Sequence, residues 1–269
     1  MTAQTLNEMR ALLRRHGLKP RTSLGQHFLA DPNLTRRIVT TAGIKAGDRV
    51  LEVGAGTGTL TRQLVSAGAE VTALEVDAQL RPVLEETMEG MAVKLLFLDA
   101  ANVDYQRLLG EGPWKVVANL PYQVGTQLIL DWLRMVSAIT EMTVMVQLEV
   151  AQRMSALPGS RSYGLPTVVV GLHAHLKVSF RVPPHVFYPP PKVDSAVVHI
   201  VRKEAPPGAG RAIELAAAGF GQRRKMLRGS LSAILPNAEG ALTAAGIDPT
   251  KRAEDLSPSD YLHLAEATT

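Results

Sequence analysis

Four consecutive residues, Asn119-Leu120-Pro121-Tyr122, present an amide, a proline and a phenol directly after the apolar run at residues 115–118. That set suits chemistry on a flat, exocyclic amine. The N6 amine of adenine is a poor nucleophile, because its lone pair is delocalised into the ring, and no side chain can usefully remove its proton at neutral pH. Geometry is the practical remedy. The side-chain oxygen of Asn119 and the carbonyl of Leu120 can accept the two N–H hydrogens, draw the nitrogen towards a tetrahedral shape and aim its lone pair at an electrophilic methyl group. Pro121 fixes its own φ and removes a competing donor. Tyr122 offers a ring for a base to stack on, a contact worth roughly 1–3 kcal/mol. An ordinary strand end followed by a turn would contain the same letters, so the electrophile has to be found elsewhere in the chain.

LEVGAGTGTLT, residues 51–61, sits where a strand turns into a helix. Gly54, Gly56 and Gly58 let backbone approach a ligand, and the following helix points its first amides there. Alone, this stretch fits a dinucleotide site or a mere tight turn equally well. Glu75 ends the next apolar strand, about 20 positions on, where a carboxylate suits a ribose diol. Asp99 ends the strand after that, in LFLDA, and can accept from an adenine amine. Strand-terminal acids also cap helices. Yet all three features fall at successive carboxyl ends of one sheet, where doubly wound folds bind ligands. NAD would require a pyrophosphate anchor and a hydride partner, whereas Gly54, Glu75, Asp99 and Asn119 place four groups around an adenosine-bearing ligand. S-adenosylmethionine, with its ribose, adenine and amino-acid moiety, is the preferred cofactor.

The elements that must position these groups follow from periodicity. Leu6, Met9, Leu12 and Leu13 recur at helical spacing, with Arg10, Arg14 and Arg15 on the polar face. Residues 31–42 read as a second helix, with Asp31 as N-cap and Pro32 at the first helical position. From residue 48 strands and helices alternate, and the strands are apolar on both faces, as in a parallel sheet covered by helices on each side. Two later runs, residues 167–182 and 195–201, alternate more and are expected as an antiparallel pair at one sheet edge. Strand signals stop at APPGAG, residues 205–210, and the remainder is helical. The expected organisation is a methyltransferase domain with an N-terminal arm over residues 1–204 and a helical domain over residues 205–269.

The chain of 269 residues is 46% hydrophobic, enough for a substantial core. It has no cysteine, so disulfides, zinc-thiolate sites and thiol nucleophiles are excluded. No apolar run is long enough to span a membrane. The opening MTAQTLNEMRALLRRHG lacks the apolar core of a secretory signal, and a cytoplasmic setting is expected. The histidines show no metal-ligand spacing, so no metal is expected. A net charge of +4 is compatible with a polyanionic partner without requiring one. QRRKMLR, residues 222–228, places Arg223, Arg224, Lys225 and Arg228 within about two helical turns, a candidate phosphate-binding face as well as an ordinary solvated one.

Taken together, SLGQHFL (23–29), LEVGAGTGTLT (51–61), LEVD (74–77), the Asp99 strand end, NLPY (119–122), QLEVAQRM (147–154), VFYPPPKVDSAVV (186–198) and FGQRRKMLRGSL (220–231) closely resemble the small-subunit ribosomal RNA adenine N6-dimethyltransferase family, across about residues 21–235. The last of these favours that family over the related resistance methylases of large-subunit RNA. The resemblance implies an α/β fold, a Rossmann-like S-adenosylmethionine-dependent methyltransferase sheet with a small all-helical C-terminal domain. It implies transfer of two methyl groups to each N6 of two adjacent adenosines in the 3′-terminal hairpin loop of small-subunit (16S) rRNA, within a pre-30S particle late in assembly. His27, Leu29, Gly54, Glu75, Asp99 and Asn119 match cofactor-contacting positions of the family. His27 departs from the usual Asn; a backbone contact would survive that change, a side-chain hydrogen bond would not. Phe187 matches an aromatic expected to stack on the target base opposite Tyr122, the base being extruded from its own stack. A monomer is expected. Two other readings stand beside this one: a non-catalytic assembly or transcription factor on the same fold, and a methylase of large-subunit rRNA.

Overall fold

The computed structural model describes residues 4–268; the first three residues of the expected N-terminal arm and the last of the expected helical domain lie outside them. Helix α1 (Leu6–Arg15) is capped reciprocally by Thr5 and Glu8 and buries Met9, Leu12 and Leu13, the apolar stripe its spacing predicts. Strand β1 (Phe28–Leu29) leads to helix α2 (Pro32–Thr41). Asp31 accepts from the Asn33 and Leu34 amides at 2.8 and 3.0 Å, and Pro32 occupies the first turn, where its missing N–H has no consequence.

Strands and helices then alternate as β2 (Arg49–Val53), α3 (Thr59–Ser66), β3 (Glu70–Glu75), α4 (Arg81–Thr87), β4 (Val93–Phe97), α5 (Tyr105–Leu109), β5 (Trp114–Asn119), α6 (Gly125–Met135) and β6 (Ile139–Gln147). Helices α7 (Leu148–Met154) and α8 (Leu165–His173) precede β7 (Ala174–Val182), β8 (Phe187–Tyr188) and β9 (Ser195–Arg202). Helices α9 (Ala209–Gly221), α10 (Leu227–Ser230), α11 (Ala238–Ala244) and α12 (Pro258–Glu266) complete the described chain.

Seven strands form one sheet in the order β4-β3-β2-β5-β6-β9-β7. The first five are parallel, and β9 runs antiparallel to β6. Val50, Leu51 and Val53 on β2 are all at most 2% exposed, so both faces of the sheet are covered. Strand order reverses between β2 and β5, which opens a crevice at their carboxyl ends. A separate two-stranded ribbon pairs β1 with β8, Phe28 opposite Tyr188 and Leu29 opposite Phe187.

The run at residues 167–182 is not the single strand its alternation suggests. Its first half is helix α8 and only the second half is β7. Val168, Val169 and Val170 favour strands intrinsically, but all three are buried within the helix, and Pro166 sits in its first turn, where the ring presets φ. Strands β9 and β7 are neighbours at one edge of the sheet, where the two late runs are expected, with β7 outermost.

The chain divides into two compact units. One takes in the chain up to Ala151 and Lys177–Val201; the other takes in Gln152–Leu176 and the chain from Arg202 on. The second unit is therefore discontinuous, whereas the sequence division at 204/205 follows the chain. In the first unit α1, β1, α2 and the flank of the sheet share a core that includes Met9, Ile38, Leu64, Leu84 and Val197. In the second, Leu215, Tyr261 and Leu264 are fully buried, and the rings of Tyr163, Phe220 and Tyr261 follow one another at centroid distances of 6.0 and 6.5 Å.

Candidate active site

The carboxyl ends of β2, β3, β4 and β5 lie side by side in the first unit and line a cleft of about 230 Å³. Parallel pairing makes this inevitable: residues that end successive strands, far apart in sequence, come to one edge. Gly54, Glu75, Asp99 and Asn119 all line the cleft, as do Leu120, Pro121, Tyr122 and His27.

The glycine-rich turn after β2 is held by the cleft's own carboxylate. Gly56 has φ of +58°, which side-chain-bearing residues rarely adopt, and a Cβ there would stand 3.0 Å from the ring of Phe28. Its N–H donates to Glu75 Oε2 at 2.8 Å, while the Asp77 N–H donates to Oε1 at 2.9 Å. Burial pushes the Glu75 carboxyl above its ordinary range; the Asp77 and Gly56 amides oppose that shift, and the neighbouring Asp77 charge adds to it. Asp99 accepts from the Ala101 amide at 3.0 Å and from Asn102 Nδ2 at 2.9 Å, so it caps a 3₁₀ turn and faces the cleft at once.

Asn119 ends β5 with its side chain oriented by one bond. Its Nδ2 donates to the His27 carbonyl at 3.0 Å. A carbonyl can only accept, so this bond assigns the amide's NH2 to His27 and leaves Oδ1 as the acceptor. The Leu120 carbonyl takes no backbone donor among the described residues, since the Val124 and Gly125 amides both go to Pro121. Tyr122 stacks on the His27 imidazole, with ring centroids 5.8 Å apart and planes 25° apart, and its hydroxyl is 2.6 Å from Ser195 Oγ. Burial raises the Tyr122 phenol's pKa against the opposing Ser195 bond, so it stays un-ionised. His27 Nδ1 donates to the Pro189 carbonyl at 2.8 Å. The His27 backbone thus holds Asn119 while its ring is committed to Pro189 and Tyr122, and the replacement of Asn leaves the backbone contact intact.

Leu29 and Phe187 are placed differently from the expectation. They pair with each other across the β1–β8 ribbon, are 5% and 3% exposed, and belong to the core rather than the cleft wall. The ring that faces Tyr122 belongs to His27 instead.

Several cleft features have no counterpart in the sequence reading. Asp77, only 3% exposed, accepts from Arg21 Nε at 2.9 Å and from Gln26 Nε2 at 2.7 Å, which ties the segment before β1 to the end of β3. No spacing rule links residues so far apart. Val76 and Leu98 are 48% and 44% exposed, an unusual state for residues beside a core, and both line the cleft. Their positions beside Glu75 and Asp99 were the available signal.

In the second unit the four predicted RNA-contacting cations do not share a helical face. Helix α9 ends at Gly221, the Lys225 amide turns back to the Gln222 carbonyl at 2.8 Å, and α10 starts only at Leu227. Arg223, Arg224, Lys225 and Arg228 are all exposed. Arg223 forms an ion pair with Glu254 and donates to the Arg161 carbonyl at 2.9 Å; Arg228 is 3.8 Å from Glu239. Arg161 and Arg252 join Arg223, Arg224 and Glu254 around one concavity.

The sheet order, the glycine turn and the row of strand-end acids define a Rossmann-like methyltransferase. The family model for ribosomal RNA adenine dimethylase matches residues 17–269, and the chain belongs to that family. It is 45% identical over 275 residues to the ribosomal RNA small subunit methyltransferase A of Brucella canis, covering 99% of each chain. It is also similar to a crystal structure of a dimethyladenosine transferase from Plasmodium falciparum, with a TM-score of 0.75, 25% identity, and coverage of 88% of this chain and 96% of that one. The 23S rRNA methyltransferase ErmE is similar with a TM-score of 0.68 at 28% identity, covering 89% and 98%. No helix of the described residues is long and apolar enough to cross a membrane, and no cluster of three or more candidate metal ligands occurs among them.

Proposed function

We propose that this chain dimethylates N6 of two adjacent adenosines in the 3′-terminal hairpin loop of small-subunit rRNA, with S-adenosylmethionine as methyl donor. The observation that carries the reading is the bond from Asn119 Nδ2 to the His27 carbonyl, which leaves Oδ1 of Asn119 and the adjacent Leu120 carbonyl as two acceptors beside the cleft.

The residues fit the cofactor. Glu75 presents a carboxylate whose orientation two backbone amides fix, suited to a ribose diol. Val76 and Leu98 offer apolar surface for an adenine ring, and Asp99 an acceptor for its amine. The Gly56 turn admits backbone close to the ligand. When bound, S-adenosylmethionine supplies an electrophilic sulfonium methyl group. Asn119 and Leu120 hold both hydrogens of the target amine and so direct its lone pair, a contribution made by positioning and fixed dipoles rather than by a base. Tyr122 offers a stacking face to the extruded base and is itself backed by His27. Leu29 and Phe187 support this arrangement from the core instead of closing a clamp. The exposed cations of the 222–228 turn, with Arg161 and Arg252, would attract RNA phosphates. The setting we infer is a cytoplasmic pre-30S particle, with the protein acting as a monomer.

Methyl-tritiated S-adenosylmethionine, incubated with the protein and either unmethylated small subunits or large subunits, tests this reading. Label should enter small-subunit RNA alone, and primer extension should stop at two adjacent adenosines near its 3′ end. Label in the large subunit would establish the resistance-methylase reading, and no label in either would leave a non-catalytic assembly factor.

A further inference from the structure

The glycine-rich turn between β2 and α3 is held from its outer side by a residue ahead of the region the family model matches, which begins at residue 17. Gln4 is only 6% exposed. Its Nε2 contacts the Thr57 carbonyl at 3.4 Å and Thr87 Oγ1 at 3.3 Å, and its Oε1 accepts from Thr59 Oγ1 at 3.1 Å. The Thr57 and Thr59 hydroxyls are themselves 3.2 Å apart. Gly58, between them, has φ of +80°, and a Cβ there would stand 2.8 Å from Thr87 Cγ2, so the turn lies flush against the end of α4. Thr57 directly follows Gly56, whose N–H binds the cleft carboxylate Glu75 at 2.8 Å. One buried amide therefore grips the turn immediately behind the part that faces the ligand.

The rest of the segment is anchored to other parts of the cleft's frame. Met9, Leu12 and Leu13 of α1 enter the same core as Phe28, Leu29 and Phe187. The Arg10 guanidinium lies 4.8 Å from the centroid of Tyr188, which pairs with Phe28 next to His27. Arg15 and His16 both hold Glu86 on α4, His16 at 2.6 Å. Glycine turns have unusual freedom when unconstrained, and a ligand that must order one binds more weakly than a ligand that finds it ordered.

We propose that residues 4–15 are a strap that pre-shapes the cofactor cleft, with Gln4 as a positioning residue for the glycine-rich turn; this rests on reading the cleft as the S-adenosylmethionine site. Gln4→Met keeps the side chain's length and volume and removes every hydrogen bond. Calorimetric titration with S-adenosylhomocysteine should show Kd raised about fivefold, the size expected for losing a neutral hydrogen-bond cluster. Turnover at saturating cofactor should be nearly unchanged, so KM moves and kcat does not. Thr87→Val, which keeps the methyl group against Gly58 and loses one contact, should raise Kd about twofold, and adding it to Gln4→Met should change nothing further. Ile38→Val, in the core at α2, should lower Tm and leave Kd at the wild-type value. A wild-type Kd in Gln4→Met overturns the strap while the cofactor reading stands, and so does an equal Kd rise in an Ile38→Val protein with the same loss of Tm. Failure of the wild-type protein to bind S-adenosylhomocysteine would overturn both.

Discussion

The cleft at the sheet edge and the basic turn of the helical unit use polar groups in opposite ways. In the cleft, Asn119 is fixed by the His27 carbonyl, Glu75 by the Gly56 and Asp77 amides, and Asp77 by Arg21 and Gln26. On the turn, Arg224 and Lys225 face solvent with no carboxylate partner among the described residues, and only Arg223 and Arg228 are near one. Directional chemistry on a neutral amine needs acceptors frozen in place before the substrate arrives. Attraction of a phosphate backbone is long-ranged and tolerant of geometry, so solvated cations suffice. The first region should be sensitive to the loss of single atoms, the second chiefly to charge and salt.

The largest contrast should come from Glu75→Ala. It removes a carboxylate from the cleft and frees the Gly56 amide, and charged hydrogen bonds are worth roughly 1.5–3 kcal/mol each. Cofactor Kd should rise about 100-fold in equilibrium dialysis; a rise of less than about threefold would remove Glu75 from the cofactor site.

Glu52 sharpens the comparison from within the sheet. It lies on β2, is 1% exposed, and its Oε2 has no hydrogen-bond partner among the described residues. Burial pushes its carboxyl up to about 8, the charge of Glu75 adding to the shift and Thr61 opposing it. The folded protein therefore binds this proton more tightly than the unfolded chain does. Its contribution is fully present below about pH 4.5 and is lost as pH rises through about 8. Glu52→Gln should flatten that decline, which is on the order of a few kcal/mol, in urea melts at pH 5 and pH 8.5. An unchanged pH slope would show that Glu52 is not a proton-retaining group.

The smallest effects belong to the turn. Arg224→Ala and Lys225→Ala should each weaken binding to small-subunit RNA about threefold and reduce the salt slope by about one. Arg223→Ala should do less, because Glu254 already offsets its charge. A loss with Arg223→Ala that exceeds the other two would mean the ion pair itself is the recognition element.

The cleft was legible because parallel strands convert a one-dimensional rhythm into a spatial row: any residue that ends an apolar run at Gly54, Glu75, Asp99 or Asn119 must reach the same edge. The family resemblance agreed with that row residue by residue. What failed to show needed three-dimensional information. Phe187 is aromatic beside a proline-rich loop, yet the register with Leu29 turns it into the core. Helix α8 hides in a valine run, and only Pro166 in its first turn hinted at it. QRRKMLR has helical composition but begins only after helix α9 has ended at Gly221, and α10 starts at Leu227. Gln4 and Asp77 act through contacts spanning more than 50 residues, which no local pattern announces.

Asn119→Ala tests the central claim most directly, with single-turnover methylation of small subunits and cofactor binding measured on the same protein. The loss of one preorganised acceptor should lower turnover about 100- to 1,000-fold while cofactor Kd changes by less than about fivefold. Turnover within about twofold of wild type would show that the amide does not orient the target amine, and catalysis by fixed acceptors at the end of β5 would be refuted.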